Sequence, residues 1–97
     1  MYVLYIYSYN GNARKYLSDE DIKKIIINTR KSSNRGCAFS ADVSGTAYLD
    51  HFEENEEVNY RTLERNPVFH GTNGVGLYGW DAVIEYTDAE LFGIVGE

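Results

Sequence analysis

The chain has 97 residues, which is enough for one domain with a modest core and too few for two. Its net charge of −6, from fifteen acidic and nine basic side chains, argues against nucleic acid as a direct partner, because phosphate binding depends on clustered Lys and Arg. The hydrophobic content of 43% is that of a globular domain, and no apolar run reaches the roughly 18 residues of a membrane span. We therefore expect a single domain over residues 1–97 that does not enter a membrane.

The use of cysteine and the character of the N-terminus predict a cytoplasmic location. The single cysteine, Cys37, cannot form an internal disulfide, as is typical of proteins in a reducing compartment. The N-terminus has no basic segment ahead of an apolar stretch, so no signal peptide is predicted.

The first predicted element is a strand over residues 2–9, which contains four tyrosines. Alternation along a strand separates an aliphatic face from a second face. We name this second face the tyrosine row; it consists of Val3, Tyr5, Tyr7 and Tyr9. Buried hydroxyls need partners, and a small domain can hide few of them. A second layer from Val58 to Trp80 is an alternative cover, but we expect the row to be partly exposed.

A helix is predicted to follow Ser18, which stands in capping-box spacing with Asp21. Ile22, Ile25, Ile26 and Thr29 recur at helical spacing and form one apolar stripe that can lie on a sheet.

The remaining predicted elements are strands, a long loop and a short helical turn. Residues 37–43 and 46–52 alternate as two strands joined by a turn at Ser44 and Gly45. Residues 58–65 are ambiguous between strand and helix, and we favour helix. Residues 66–79 form a glycine-rich loop, residues 80–86 return to strand, and a capping box at Thr87 opens a turn before Gly93.

The predicted fold is a single α+β domain. It has a small, mostly antiparallel sheet of about four strands, a β-α-β-β start that is compatible with a ferredoxin-like arrangement, and one main helix on one face.

The order of a strand, an S-D-E-D helix, an N-R-G-C-A-F strand, an S-G turn and a strand resembles the first half of the BLUF photoreceptor domain, a ferredoxin-like flavin binder. Tyr5 or Tyr7 stands where that family has a strand-one tyrosine. Ser32, Ser33 and Asp50 stand where it has flavin-binding amides. The resemblance supports the β-α-β-β arrangement alone, and we expect no cofactor.

No pattern in the chain predicts catalysis or metal binding. The segment G-V-G-L-Y-G at residues 74–79 matches a dinucleotide fingerprint, but it leads into a strand where the fingerprint requires a helix. Nothing ties Cys37 to a histidine base, and no spacing resembles a zinc or calcium site. We expect a non-enzymatic protein.

Two binding functions compete. The first is an acidic, inhibitory protein, similar in character to small immunity proteins and phage-encoded inhibitors, that occupies a basic site on a partner protein. Its predicted contact residues are Tyr5, Tyr7, Tyr9, Asp50, Glu53, Glu54, Glu56 and Glu57. The alternative is a binder of a nucleotide or flavin that uses aromatic stacking, the loop and basic residues for phosphates. Its predicted residues are Arg14, Lys15, Arg35, His70, Gly74, Gly76, Tyr78 and Trp80. Homo-oligomerisation is left open.

Overall fold

A computed structural model describes residues 1–8, 17–32, 37–38, 44–62 and 79–96 of the chain. Four strands and two helices occur in these ranges. In chain order they are β1 (Tyr2–Ser8), α1 (Asp19–Ser32), β2 (Cys37–Ala38), β3 (Ser44–His51), β4 (Ala82–Tyr86) and α2 (Asp88–Val95).

The sheet is antiparallel, with the strand order β2-β3-β1-β4. β1 lies at its centre, so Leu4 stands opposite Leu49 on one side and Ile84 on the other. Three strands of five or more residues form most of the sheet, and β2 adds two residues beside β3. The α+β class is confirmed, while the sheet has three full strands where about four were predicted.

The predicted start of α1 is confirmed in atomic detail. The Ser18 hydroxyl accepts a hydrogen bond from the Asp21 backbone at 3.2 Å, and the Asp21 carboxylate accepts one from the Ser18 backbone at 3.1 Å. This reciprocal pair satisfies backbone donors that the first helical turn cannot satisfy by itself. Ile25, Ile26 and Thr29 are buried, as the apolar stripe predicted.

A second helix shares the aliphatic face of the sheet with α1. A capping box between Thr87 and Glu90 begins α2, which continues through Gly93 and ends at Gly96 with φ of 81°. Its Leu91 lies in the core with Leu4 and residues of α1. The predicted short turn is therefore a complete helix, and two helices, not one, cover this face.

Ser44 and Gly45 do not form the predicted turn, because both lie in β3. They pair with the two residues of β2. Gly45 is needed for a different reason: a Cβ atom at this position would overlap the backbone of Tyr7 and Ser8. The chain therefore uses glycine here for close strand contact.

Trp80 also departs from its predicted position. The Asp81 carboxylate accepts hydrogen bonds from the backbone and hydroxyl of Ser8, at 2.6 and 2.9 Å, where a strand carbonyl would otherwise pair. β4 therefore begins at Ala82, and strand alternation does not extend back to Trp80. The indole lies on the face of the sheet that carries the tyrosine row, whereas Ala82 lies on the aliphatic face.

The predicted helix over residues 58–65 is wrong over its described part, because residues 57–62 have no regular secondary structure. The backbone of Arg61 is hydrogen-bonded to the side chains of Tyr5 and Trp80, which takes its N–H and C=O away from a helical ladder. Residues 63–65 and all but the last residue of the predicted loop over 66–79 lie outside the described residues. Within the described ranges, neither helix has the length and apolar character needed to cross a bilayer.

Candidate functional site

The described part of the tyrosine row is a core and offers no surface to a partner. The side chains of Tyr5 and Tyr7 are 0% and 1% exposed, and they pack with Val3, Phe52 and Trp80. The expectation that these two tyrosines are partly exposed is wrong, and in this structure neither presents a surface for contact. Tyr9 lies outside the described residues.

Residues 58–62, which we call the strap, cover this face. The backbone N–H of Arg61 donates to the Tyr5 hydroxyl at 3.0 Å, and the Trp80 indole N–H donates to the Arg61 carbonyl at 2.9 Å. The Tyr60 hydroxyl donates to the Glu85 carboxylate in β4. The strap thus supplies the partners that a buried phenol and a buried indole require.

The Arg61 side chain anchors the strap to β3. Its guanidinium donates to both oxygens of Asp50, at 2.6 and 2.9 Å, and lies 4.3 Å from the centre of the Tyr48 ring. The hydrogen bond with Asp50 raises the pKa of Arg61. Because the Asp50 carboxylate holds the strap in this way, Asp50 is not part of the exposed acidic surface proposed below.

The other four predicted acidic contact residues lie together in one exposed turn after β3. We name residues 53–57 the acidic turn. The Glu56 backbone donates to the Glu53 carbonyl at 3.0 Å, and the Glu53 backbone donates to the Glu56 carboxylate at 2.9 Å. This fixed turn presents the carboxylates of Glu53, Glu54 and Glu57, while that of Glu56 also braces the turn.

An aromatic cluster, which we call the aromatic rim, adjoins the acidic turn and was missed by sequence reasoning. It consists of Tyr2, His51 and Phe92. The Tyr2 ring centre lies 4.4 Å from that of His51 and 6.2 Å from that of Phe92. His51 Nδ1 lies 3.8 Å from the Glu53 carboxylate, which connects the rim to the turn. A short helix that is apolar on most sides must leave some of that surface exposed, and this was the available signal for Phe92.

Asp88 fixes the start of α2 beside the rim. Its carboxylate lies 2.9 Å from the α-amino group of Met1 and 3.3 Å from His51 Nε2. The hydrogen bond from the α-amino group is the main cause that lowers the pKa of Asp88, and the hydrogen bond with His51 lowers it further.

This lowered pKa predicts a loss of stability in acid. A depressed carboxyl pKa stabilises the fold fully above the unfolded-state value, near 3.8, and the contribution disappears as the pH falls through the lower folded-state pKa. We expect the free energy of unfolding to decrease as the pH is lowered from about 3.8 through the folded-state pKa of Asp88. Asp88→Asn should make this decrease shallower. Urea denaturation across the acid range measures both slopes. Equal slopes for the two proteins would contradict the role of Asp88.

The structure describes one residue of the alternative ligand site, Trp80, and that residue is buried. The indole is 2% exposed and its N–H is bonded to Arg61, so Trp80 cannot stack on a ligand in this structure. The other residues of this set lie outside the described residues; they are Arg14, Lys15, Arg35, His70, Gly74, Gly76 and Tyr78.

An open groove of about 420 Å³ lies between the two helices and the end of β4. Its lining comprises Asp19, Glu20, Ile22, Lys23, Tyr86 and Ile94. Burial, and then the charges of Asp19 and Glu90, raise the pKa of Tyr86. No group of three metal-ligating side chains occurs in the part of the chain that the structure describes.

Comparison of the chain with protein-family models, curated proteins and solved structures gives no significant match.

Proposed function

We propose that the chain is a non-catalytic binding domain whose acidic turn docks on a basic surface of another protein. The observation that carries this proposal is the exposure of four glutamates within five residues, in a turn held by its own backbone and Glu56. The net charge of −6 acts in the same direction, because it attracts a basic partner over a distance.

Exposed carboxylates contribute to binding mainly through orientation and association rate. A single exposed ion pair is worth about 0–1 kcal/mol, and salt screens such pairs over about 8–10 Å. Several carboxylates in one rigid turn act together on a complementary surface, so the expected binding is salt-sensitive and fast.

The buried tyrosines change the proposed surface but not the class of partner. Of the predicted contact residues that the structure describes, the four glutamates of the acidic turn are exposed, and the proposed surface leaves out Tyr5, Tyr7 and Asp50. The small-ligand alternative has lost Trp80 as its stacking residue, and no described residue favours it.

Three finer proposals accompany this function. The single cysteine supports the cytoplasm as its place of action. The small size and acidic character support an inhibitory role of the immunity-protein or phage-inhibitor kind. The strand order β2-β3-β1-β4, with α1 between β1 and β2, supports a four-stranded ferredoxin-like domain.

The proposal is tested with two variants of equal net charge. Glu54→Gln with Glu57→Gln removes two of the four charges of the acidic turn, while Asp19→Asn with Glu20→Gln removes two exposed charges on α1; each moves the net charge from −6 to −4. The probe is a fluorescein-labelled peptide of alternating lysine and serine, measured by anisotropy. We expect the first variant to bind it about five- to thirtyfold more weakly, from two charges at about 0.5–1 kcal/mol each.

The α1 variant is expected to lose less than about twofold, as distant charges are largely screened. Equal losses in the two variants would show attraction to net charge alone, and the proposed docking site would be wrong. Absence of binding to the unmodified protein would also overturn the proposal.

A further inference from the structure

We propose that the aromatic rim and the bare helix surface at Gly93 form an apolar anchor beside the acidic turn. The partner would then present an apolar side chain among its basic ones, as a basic amphipathic helix does. This inference rests on the proposed function and specifies the chemistry of its partner.

Phe92 is the exposed large hydrophobic residue of the described chain, with 36% of its surface accessible. It stands on α2, where the edge contact with Tyr2 and the Arg30 guanidinium, 5.7 Å from its ring centre, restrict its position. An aromatic ring held in place loses little conformational entropy on binding, which is why such residues often dominate interfaces.

Gly93 is an independent observation that favours close approach at this place. It lies inside α2, where glycine is less favourable than alanine. A Cβ atom built at Gly93 meets no atom within 4 Å, so the described fold gives no packing reason for glycine. The missing side chain leaves helix backbone open beside Phe92, where a partner's side chain can lie.

Charge on the flanks of the rim indicates the sign of the partner. His51 lies 3.8 Å from the Glu53 carboxylate and 3.3 Å from that of Asp88, so the rim has carboxylates on two sides and continues into the acidic turn. The Met1 α-amino group pairs with the Asp88 carboxylate at 2.9 Å, and the Arg30 guanidinium lies against Phe92, so the negative charge that favours a basic partner is that of the acidic turn. An apolar centre with the acidic turn at its side is complementary to an apolar side chain followed by lysine or arginine.

Two labelled peptides of equal length and charge test the inference. One is the alternating lysine and serine peptide, and the other replaces serines by leucine at helical spacing to form an apolar stripe. We expect the unmodified protein to bind the leucine peptide about tenfold more tightly, since one good apolar anchor supplies about 1.4 kcal/mol. Phe92→Ala should abolish this preference without changing affinity for the serine peptide.

Gly93→Gln is the second variant, because it fills the bare helix surface and retains Phe92. It should also remove the preference for leucine. Glu54→Gln with Glu57→Gln should instead weaken both peptides by the same factor and leave their ratio intact. The proposed anchor is wrong if both rim variants leave the ratio of leucine-peptide to serine-peptide affinity unchanged. It is also wrong if the unmodified protein binds the two peptides equally. The affinity of the Glu54→Gln, Glu57→Gln variant for the serine peptide tests the proposed function separately from the anchor.

Discussion

Tyr5→Ala is expected to lower the free energy of unfolding by about 3–5 kcal/mol, the usual cost of truncating a large buried aromatic side chain. Tyr5 is fully buried, contacts Trp80 at a ring distance of 5.3 Å and accepts the Arg61 backbone N–H. Its loss would leave a cavity beneath the strap and an unbonded donor above it. Urea denaturation followed by circular dichroism measures the change.

Tyr5→Phe is the matched control, because it keeps the ring and removes the hydroxyl. Its cost should be about 1–2 kcal/mol, for an N–H left without its acceptor. A cost below about 1 kcal/mol for Tyr5→Ala would mean that the ring is solvated and that the strap does not cover it.

Gly45→Ala is expected to lower the free energy of unfolding by about 3 kcal/mol, at the upper end of the cost of overpacking. The new methyl group would overlap the backbone of Tyr7 and Ser8, which pairs with Gly45 in the sheet. Backbone in the central strand cannot move aside without breaking neighbouring pairs. The same denaturation experiment measures the effect.

Gly93→Ala provides the opposite control for a glycine substitution. The space around its Cβ position is open and the residue is helical, so alanine should stabilise the fold by about 0.5–1 kcal/mol. Destabilisation by both substitutions to the same extent would contradict the specific contact at Gly45.

The features that could be predicted from sequence are local. The capping residues Ser18 and Asp21 and the pair Thr87 and Glu90 satisfy neighbours within three residues, so their spacing alone identifies the helix starts. The period of the isoleucines then fixes which face of α1 is buried.

The sequence offered a layer from Val58 to Trp80 as the alternative cover of the tyrosine row, but it could not decide for it because the cover depends on contacts far apart in the chain. The bond between Tyr5 and Arg61 spans 56 residues, and that between Ser8 and Asp81 spans 73. The sequence of the strap fits the periods of strand and helix alike, and the backbone of Arg61 is satisfied by side chains of Tyr5 and Trp80. A face with many tyrosines therefore looks the same in sequence whether it is solvated or covered.

The candidate surface was predicted in part. The glutamates of the acidic turn are identifiable from sequence, because four glutamates within five residues cannot be buried without partners. The aromatic rim was not, because Tyr2, His51 and Phe92 come from three elements that only the folded sheet brings together.

The most direct test of the account is a titration of the ¹⁵N-labelled protein with the leucine-containing cationic peptide, followed by amide chemical shifts. The account predicts that the largest changes occur in residues 53–57 and at Phe92 and Gly93, with Tyr5 and Tyr7 unchanged. Changes centred on the amides of Tyr5 and Tyr7, or spread evenly over the acidic residues of α1, would contradict it.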